Sequence, residues 1–101
     1  MFPRGGGYFY IVNKNSGKYL DVASSSLSDG ARIVQQPYSG SHSQQWSLTL
    51  TDNGYFKIIN RNSGKLLEVY GNSPNDGAEV VQWGETGVNG QQWTLVKEGS
   101  K

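Results

Sequence analysis

The 101-residue chain contains no cysteine, which excludes disulfides and thiolate metal sites. It leaves the redox compartment open, because secreted proteins can also lack cysteine. A single histidine, His42, cannot build a His-rich metal cluster, so neither metal nor cofactor is expected. Charged residues make up only 17% and the formal net charge is +1. With no run of Lys or Arg, the electrostatic footprint of a nucleic-acid binder is missing. No stretch approaches the ~20 apolar residues of a membrane span, and residues 1–7 lack the apolar segment of a signal peptide. Membrane insertion is therefore not expected. Neither Ser-x-x-Lys nor Gly-x-Ser-x-Gly occurs, which removes two nucleophile arrangements.

What the chain does have is glycine, at 14 positions, and aromatics: three Trp, six Tyr and three Phe. With 35% hydrophobic residues, this composition describes a turn-rich all-β protein. A domain of this length buries roughly two-thirds of the surface its unfolded chain exposes, enough for one modest core.

The chain is one unit written twice. Residues 8–48 align with residues 55–95 at a constant offset of 47, and 21 of the 41 aligned positions are identical without a gap. Such self-similarity marks a repeat architecture. Asn15-Ser16-Gly17-Lys18 returns as Asn62-Ser63-Gly64-Lys65, Asp29-Gly30-Ala31 as Asp76-Gly77-Ala78, and Gln44-Gln45-Trp46 as Gln91-Gln92-Trp93. The units are taken as 8–54 and 55–101 of a single domain. Residues 1–7, ending in three glycines, read as a linker or an appended remnant outside it.

Within the first unit, Tyr8 to Val12 reads as a strand and Asn13 to Gly17 as a turn. Lys18 to Val22 alternates, placing Leu20 and Val22 on one face and Asp21 on the other, directed outward. Ala23 to Gly30 is a serine-rich loop, Ala31 to Gln35 a short strand, and Tyr38 to Ser43 a second loop. Trp46 and Leu48 share a face of a strand ending near Leu50, and Thr51-Asp52-Asn53-Gly54 is a tight-turn signature. Four short strands per unit at ~10-residue spacing suggest a barrel or sandwich. One such unit cannot cover its own apolar face, so neighbouring units must bury it together.

The pattern Tyr-x-x-Ile-x-Asn-x-Asn-Ser-Gly-Lys-x-Leu-Asp-Val, then Asp-Gly-Ala, then Gln-x-Trp, present in the first copy and, with Glu68 in place of the Asp, in the second, resembles the ricin-B-type β-trefoil lectins. The resemblance covers residues 8 to 95. It implies a β-trefoil of three such units around a pseudo-threefold axis, carbohydrate binding at up to one shallow site per unit, no catalysis, and a secreted or extracellular setting. This chain carries two units, so the resemblance also implies completion by association. Three chains would supply six units, or two trefoils, which makes a homo-oligomeric trimer the expected state. The other reading is a fragment of a longer protein with an open fold.

Sugars present hydroxyl pairs and a weakly apolar face, so a site needs an acceptor carboxylate, amides and an aromatic plate. By the resemblance, the acid of Leu-Asp-Val is Asp21, with Glu68 in the second unit. The stacking ring about ten residues before the closing tryptophan is Trp83; the first unit has Gln36 there, with Tyr38 as a substitute two residues on. Where the family often has Asn before the closing triplet, this chain has Ser43 and Gly90, leaving His42 and Asn89, one residue earlier, as substitute donors. The amide that supports the site acid is expected near Gln35 and Gln82. Gln44 and Gln91 also stand among the candidates, although strand alternation puts them beside Trp46 and Trp93, where they are expected first to satisfy buried backbone groups.

Asp21 and Glu68, at equivalent places in two units, are not expected to face each other within the ~10 Å of a glycosidase pair. The function expected is non-catalytic binding of galactose-type sugars or plant polysaccharide. The alternatives are a trefoil scaffold or protein-interaction module without sugar sites, and the accessory binding module of a secreted glycoside hydrolase.

Overall fold

The computed structural model describes residues 7–96; residues 1–6 and 97–101, which include most of the expected linker, lie outside the described residues. Six strands follow in order: β1 (Tyr19–Val22), β2 (Ile33–Gln36), β3 (Trp46–Leu50), β4 (Phe56–Asn60), β5 (Leu66–Val69) and β6 (Val80–Trp83). β1 and β2 form an antiparallel hairpin, and β3-β4-β5-β6 form one antiparallel sheet that runs across the boundary between the units. The boundary is the expected turn. Gly54, at φ +88°, donates its N–H to Thr51 C=O at 3.2 Å, and the β3–β4 ladder pairs Leu50 with Phe56 through Trp46 with Asn60.

The expected strand from Tyr8 to Val12 is reduced to isolated bridges, Phe9 with Trp46 and Val12 with Tyr19. Its copy in the second unit is the full strand β4. The bridge to the unit's own tryptophan is the same in both: Phe9 N–H to Trp46 C=O at 2.7 Å, and Phe56 N–H to Trp93 C=O at 2.7 Å. What lengthens β4 is the preceding unit's last strand, β3, which the first unit has no counterpart for among the described residues. For the same reason Trp93 makes a single bridge where Trp46 opens a strand.

The Asn-Ser-Gly turns repeat closely. Asn13 and Asn60 each cap their turn with Oδ1, which accepts the N–H groups of Asn15 and Ser16, and of Asn62 and Ser63. Gly17 and Gly64 sit at φ +72° and +73°, the left-handed region that a Cβ disfavours.

The core is shared. Val22 and Trp46 from the first unit pack with Ile58 and Leu67 from the second, flanked by half-buried Leu20, Ile33, Leu48 and Trp93. Trp46 is completely buried, and its indole N–H donates to Leu20 C=O at 3.2 Å, so the ring's one polar atom costs no unpaired donor. Trp93 repeats that bond to Leu67 C=O at 3.0 Å. Polar contacts knit the units as well. Gln82 is fully buried, and its Nε2 donates to the carbonyls of Ser26 and Ser28, both at 2.9 Å. Lys65 pairs with Asp29 at 3.0 Å.

Candidate carbohydrate site

β1 delivers Asp21, and the chain after β2 returns past it. Asp21 is not directed into solvent as alternation alone predicts; it is only 8% exposed. The period-2 rule assigns it to the wet face of a strand, but the residues after β2 fold over that face. Its Oδ1 accepts the Val22 N–H at 2.7 Å and its Oδ2 accepts Gln44 Nε2 at 3.3 Å. A carboxylate oxygen has two lone-pair sites, so each oxygen keeps one acceptor position. Asp21 borders an open cleft of about 410 Å³, together with Ser24, Ser25, Gln36, Pro37, Tyr38 and Ser39.

Gln44 organises this cleft from beneath. It lies in a short 3-10 turn, His42–Gln44, rather than in a strand, and it is fully buried. Its Nε2 donates to Pro37 C=O at 2.9 Å as well as to Asp21, and its Oε1 accepts the Ser39 N–H at 3.0 Å. One amide therefore ties the loop that carries Tyr38 to the acid. The second unit repeats the device: Gln91 Nε2 donates to Glu68 Oε1 at 2.7 Å and to Gly84 C=O at 2.9 Å, and Gln91 Oε1 accepts the Thr86 N–H at 3.0 Å. Gln44 and Gln91 do bind backbone groups, as expected, but those of the exposed Pro37, Ser39 and Thr86 and the half-buried Gly84 rather than of buried residues.

The expectation that the acid-supporting amide sits near Gln35 and Gln82 does not. Gln82 turns its side chain to the neighbouring unit, and Gln35 is exposed, accepting Ser16 Oγ at 2.7 Å. Side chains alternate along β2 and β6, and this register points both amides away from the acid.

Tyr38 is 60% exposed on the cleft rim. Its ring is braced by Tyr19 and Tyr10, with centroids at 5.3 and 5.7 Å, and those two meet edge-to-face at 5.3 Å. Edge-on and tilted arrangements of this kind are the favoured ones for aromatic pairs. Trp83 closes β6 half-buried, its ring edge so near Gly30 that a Cβ there would lie 3.4 Å from Cζ3. In the second unit the place of Tyr38 is taken by Glu85, ion-paired to Lys57 at 2.9 Å. The two sites are therefore unlike: the first has an exposed ring with an aspartate, the second a half-buried indole with a glutamate. His42 is exposed and does not border the Asp21 cleft. Asn89 borders a different cavity, with Asn53, Tyr55 and Gln92.

Sequence reasoning missed the backbone at the cleft wall. Ser24 and Ser25 hold φ of +57° and +50°, a conformation uncommon outside glycine and asparagine. The second copy has Gly71 and Asn72 at these positions, at φ +67° and +56°, and that Gly-Asn pair was the available signal. It also missed Tyr10 and Tyr19, which brace the rim.

The sequence model for the ricin-type beta-trefoil lectin domain-like family matches residues 1–83 and again 43–101. A stretch of 47 residues, the length of one unit, is 40% identical to the clotting factor G alpha subunit of Tachypleus tridentatus, covering 46% of this chain and 7% of that protein. Among solved structures, the designed 3-fold symmetric protein ThreeFoil superposes with a TM-score of 0.89 at 47% identity, over 92% of this chain and 66% of its own. An exo-beta-1,3-galactanase from Clostridium thermocellum matches with a TM-score of 0.88 and 42% identity, over 92% of this chain and 20% of its own. The Polyporus squamosus lectin, in complex with a Neu5Aca2-6Galb1-4GlcNAc epitope, matches with a TM-score of 0.77 and 25% identity, over 90% of this chain and 32% of its own. The chain thus spans less than a tenth of the clotting factor subunit and a fifth of the galactanase. Two overlapping matches that together run the length of the sequence, on an all-β fold with β-trefoil neighbours, place this chain in the ricin-type beta-trefoil lectin domain-like family.

Proposed function

We propose that the chain is a non-catalytic carbohydrate-binding domain, residues 8–101, whose principal site is the Asp21 cleft and which takes galactose-type sugars or plant polysaccharide outside the cell. The observation that carries this reading is Asp21 itself: a carboxylate fixed by Gln44 at an open cleft that Tyr38 also lines. Hydroxyls of a sugar donate to the remaining carboxylate lone pairs while an apolar sugar face covers the ring. The matched galactanase and lectin support the substrate class. Shallow polar sites gain little burial, so single-site affinity is weak and avidity comes from several copies, in a homotrimer or on a tethered enzyme.

Titration with galactosides and xylo-oligosaccharides checks this, and no saturable binding at millimolar sugar refutes it. Asp21→Ala is expected to lower affinity at least tenfold with the fold retained, and Trp83→Ala to act on the second site alone. A scaffold without sugar sites, the reading favoured by the ion-paired Glu85 where the first unit has Tyr38, predicts no sugar-dependent difference for either.

A further inference from the structure

Because the units are copies, the contacts that the second makes with the first define what the open side of the first would make with a further unit. On the second unit, Ile58, Asn60, Leu67 and Gln82 are all buried. Asn60 Nδ2 donates to Ser43 C=O at 2.9 Å, Gln82 Nε2 takes the carbonyls of Ser26 and Ser28, and Lys65 pairs with Asp29. Their counterparts 47 residues earlier are Ile11, Asn13, Leu20, Gln35 and Lys18. Together with Val12, these line an open cavity of about 200 Å³.

The cavity repeats the filled position down to its hydrogen bonds. Asn13 Oδ1 holds the turn as Asn60 Oδ1 does, and Gln35 Oε1 accepts Ser16 Oγ at 2.7 Å as Gln82 Oε1 accepts Ser63 Oγ at 2.8 Å. The nitrogen ends differ. Among the described residues, Asn13 Nδ2 and Gln35 Nε2 have no partner, whereas Asn60 Nδ2 and Gln82 Nε2 bond across the unit boundary. The oxygen ends are fixed and the donors are spare, so most of the ordering cost of these amides is met before anything docks.

The complementary surface lies on the same chain. Where the first unit presents Ser26, Ser28 and Asp29 to Gln82 and Lys65, the second has Ser73, Asn75 and Asp76, with Asn75 and Asp76 exposed. Trp93 is half-buried, unlike the fully buried Trp46, whose strand pairs with β4. We infer that the cavity bounded by Ile11, Asn13, Lys18, Leu20 and Gln35 is the seat for the 73–78 loop of a second copy of this chain.

In that seat Lys18 faces Asp76, Gln35 Nε2 takes the Ser73 and Asn75 carbonyls, and Asn13 Nδ2 takes that of Gly90. Two internal bonds are not reproduced in kind: Gly84 N–H donates to Asp29 Oδ1 at 3.0 Å, and its counterpart, Pro37, has no N–H, while Lys14 stands where the Arg61 guanidinium donates to Gln45 Oε1 at 2.7 Å. The contact is head-to-tail, and in a threefold trefoil the incoming copy's first unit would fall where this chain's second unit sits, so that copy must part its own two units to dock; closure needs a number of units that divides by three. This inference rests on the assembly part of the proposed function and adds its surface.

Light scattering on the size-exclusion peak tests it, with Lys18→Glu, Asp76→Lys and Gln35→Ala beside the parent chain. All three positions are exposed, so each variant should keep its urea midpoint in the dissociated chain. The parent is expected at about three times 11.1 kDa, with association at least tenfold weaker in each single variant and restored in the Lys18→Glu/Asp76→Lys double variant. A parent of 11.1 kDa at every concentration overturns the seat and the assembly together. An oligomer indifferent to all three substitutions overturns the seat and leaves the assembly standing.

Discussion

Replacing Gln44 by Leu keeps most of the buried volume and removes every bond by which one amide joins the Tyr38 loop to Asp21. Three hydrogen bonds go: to Pro37 C=O at 2.9 Å, from Ser39 N–H at 3.0 Å, and to Asp21 Oδ2 at 3.3 Å. Pro37 and Ser39 are exposed residues, so water takes over their backbone groups and each lost bond costs about 1 kcal/mol. Asp21 is only 8% exposed. A buried carboxylate deprived of one of its two donors costs about 2 kcal/mol. Against these, the added apolar burial of Leu returns about 1 kcal/mol, leaving a net loss of about 3 kcal/mol.

A loss of that size lowers the melting temperature of a domain of this length by roughly 12–24 °C. Urea denaturation followed by Trp fluorescence measures it, with exposed Gln36→Leu as a control expected within about 0.5 kcal/mol of the parent. Sugar affinity of the first site should fall in the same variant at temperatures where it is still folded, because the rim and the acid are no longer held in one geometry. A stability loss below about 1 kcal/mol would refute the bridging role. Full destabilisation with unchanged sugar affinity would separate the bridge from the binding site.

Two further predictions follow from the backbone and from charge. Ser24 and Gly71 occupy the same left-handed position in the two units, so Ser24→Gly should stabilise by about 0.5 kcal/mol and Gly71→Ala destabilise by about 1 kcal/mol. No atom lies within 4 Å of a Cβ at Gly71, so equal effects of the two substitutions would show that conformation is not the cause. The hydrogen bonds from Lys65 and from the Gly84 N–H hold the Asp29 carboxyl below its ordinary value of 3.8. A depressed native value means that the stabilisation is fully present above that ordinary value and is lost as pH falls through the lower one. The midpoint difference between the parent and Asp29→Asn should therefore be constant from neutral pH to about pH 5 and shrink below pH 4; a difference that grows on acidification contradicts the pairing.

What the sequence made legible was everything fixed by local period and by repetition. The alternation around β1 and β3, the Asn-Ser-Gly turns and the Thr51–Gly54 boundary each depend on a few adjacent residues, and the 47-residue offset carried each reading from one unit to the other. Asp21 was misplaced because alternation treats a strand face as wet or dry by itself, while here the segment returning from β2 covers the face that carries the acid. Gln44 was found, but its bond to Asp21 was not, since 23 residues separate the two and only the 3-10 turn brings them together.

Gln35 and Gln82 show where such reading must stop. They share residue type, repeat position and a serine partner, yet Gln82 is fully buried while Gln35 is exposed. No pattern within one unit can distinguish them, because the difference is whether a neighbouring unit supplies two carbonyls. A repeat therefore states the form of each interface but not its occupancy. Gln35 Nε2, which has no partner among the described residues, makes occupancy a physical question, one that the assembly state of the chain answers.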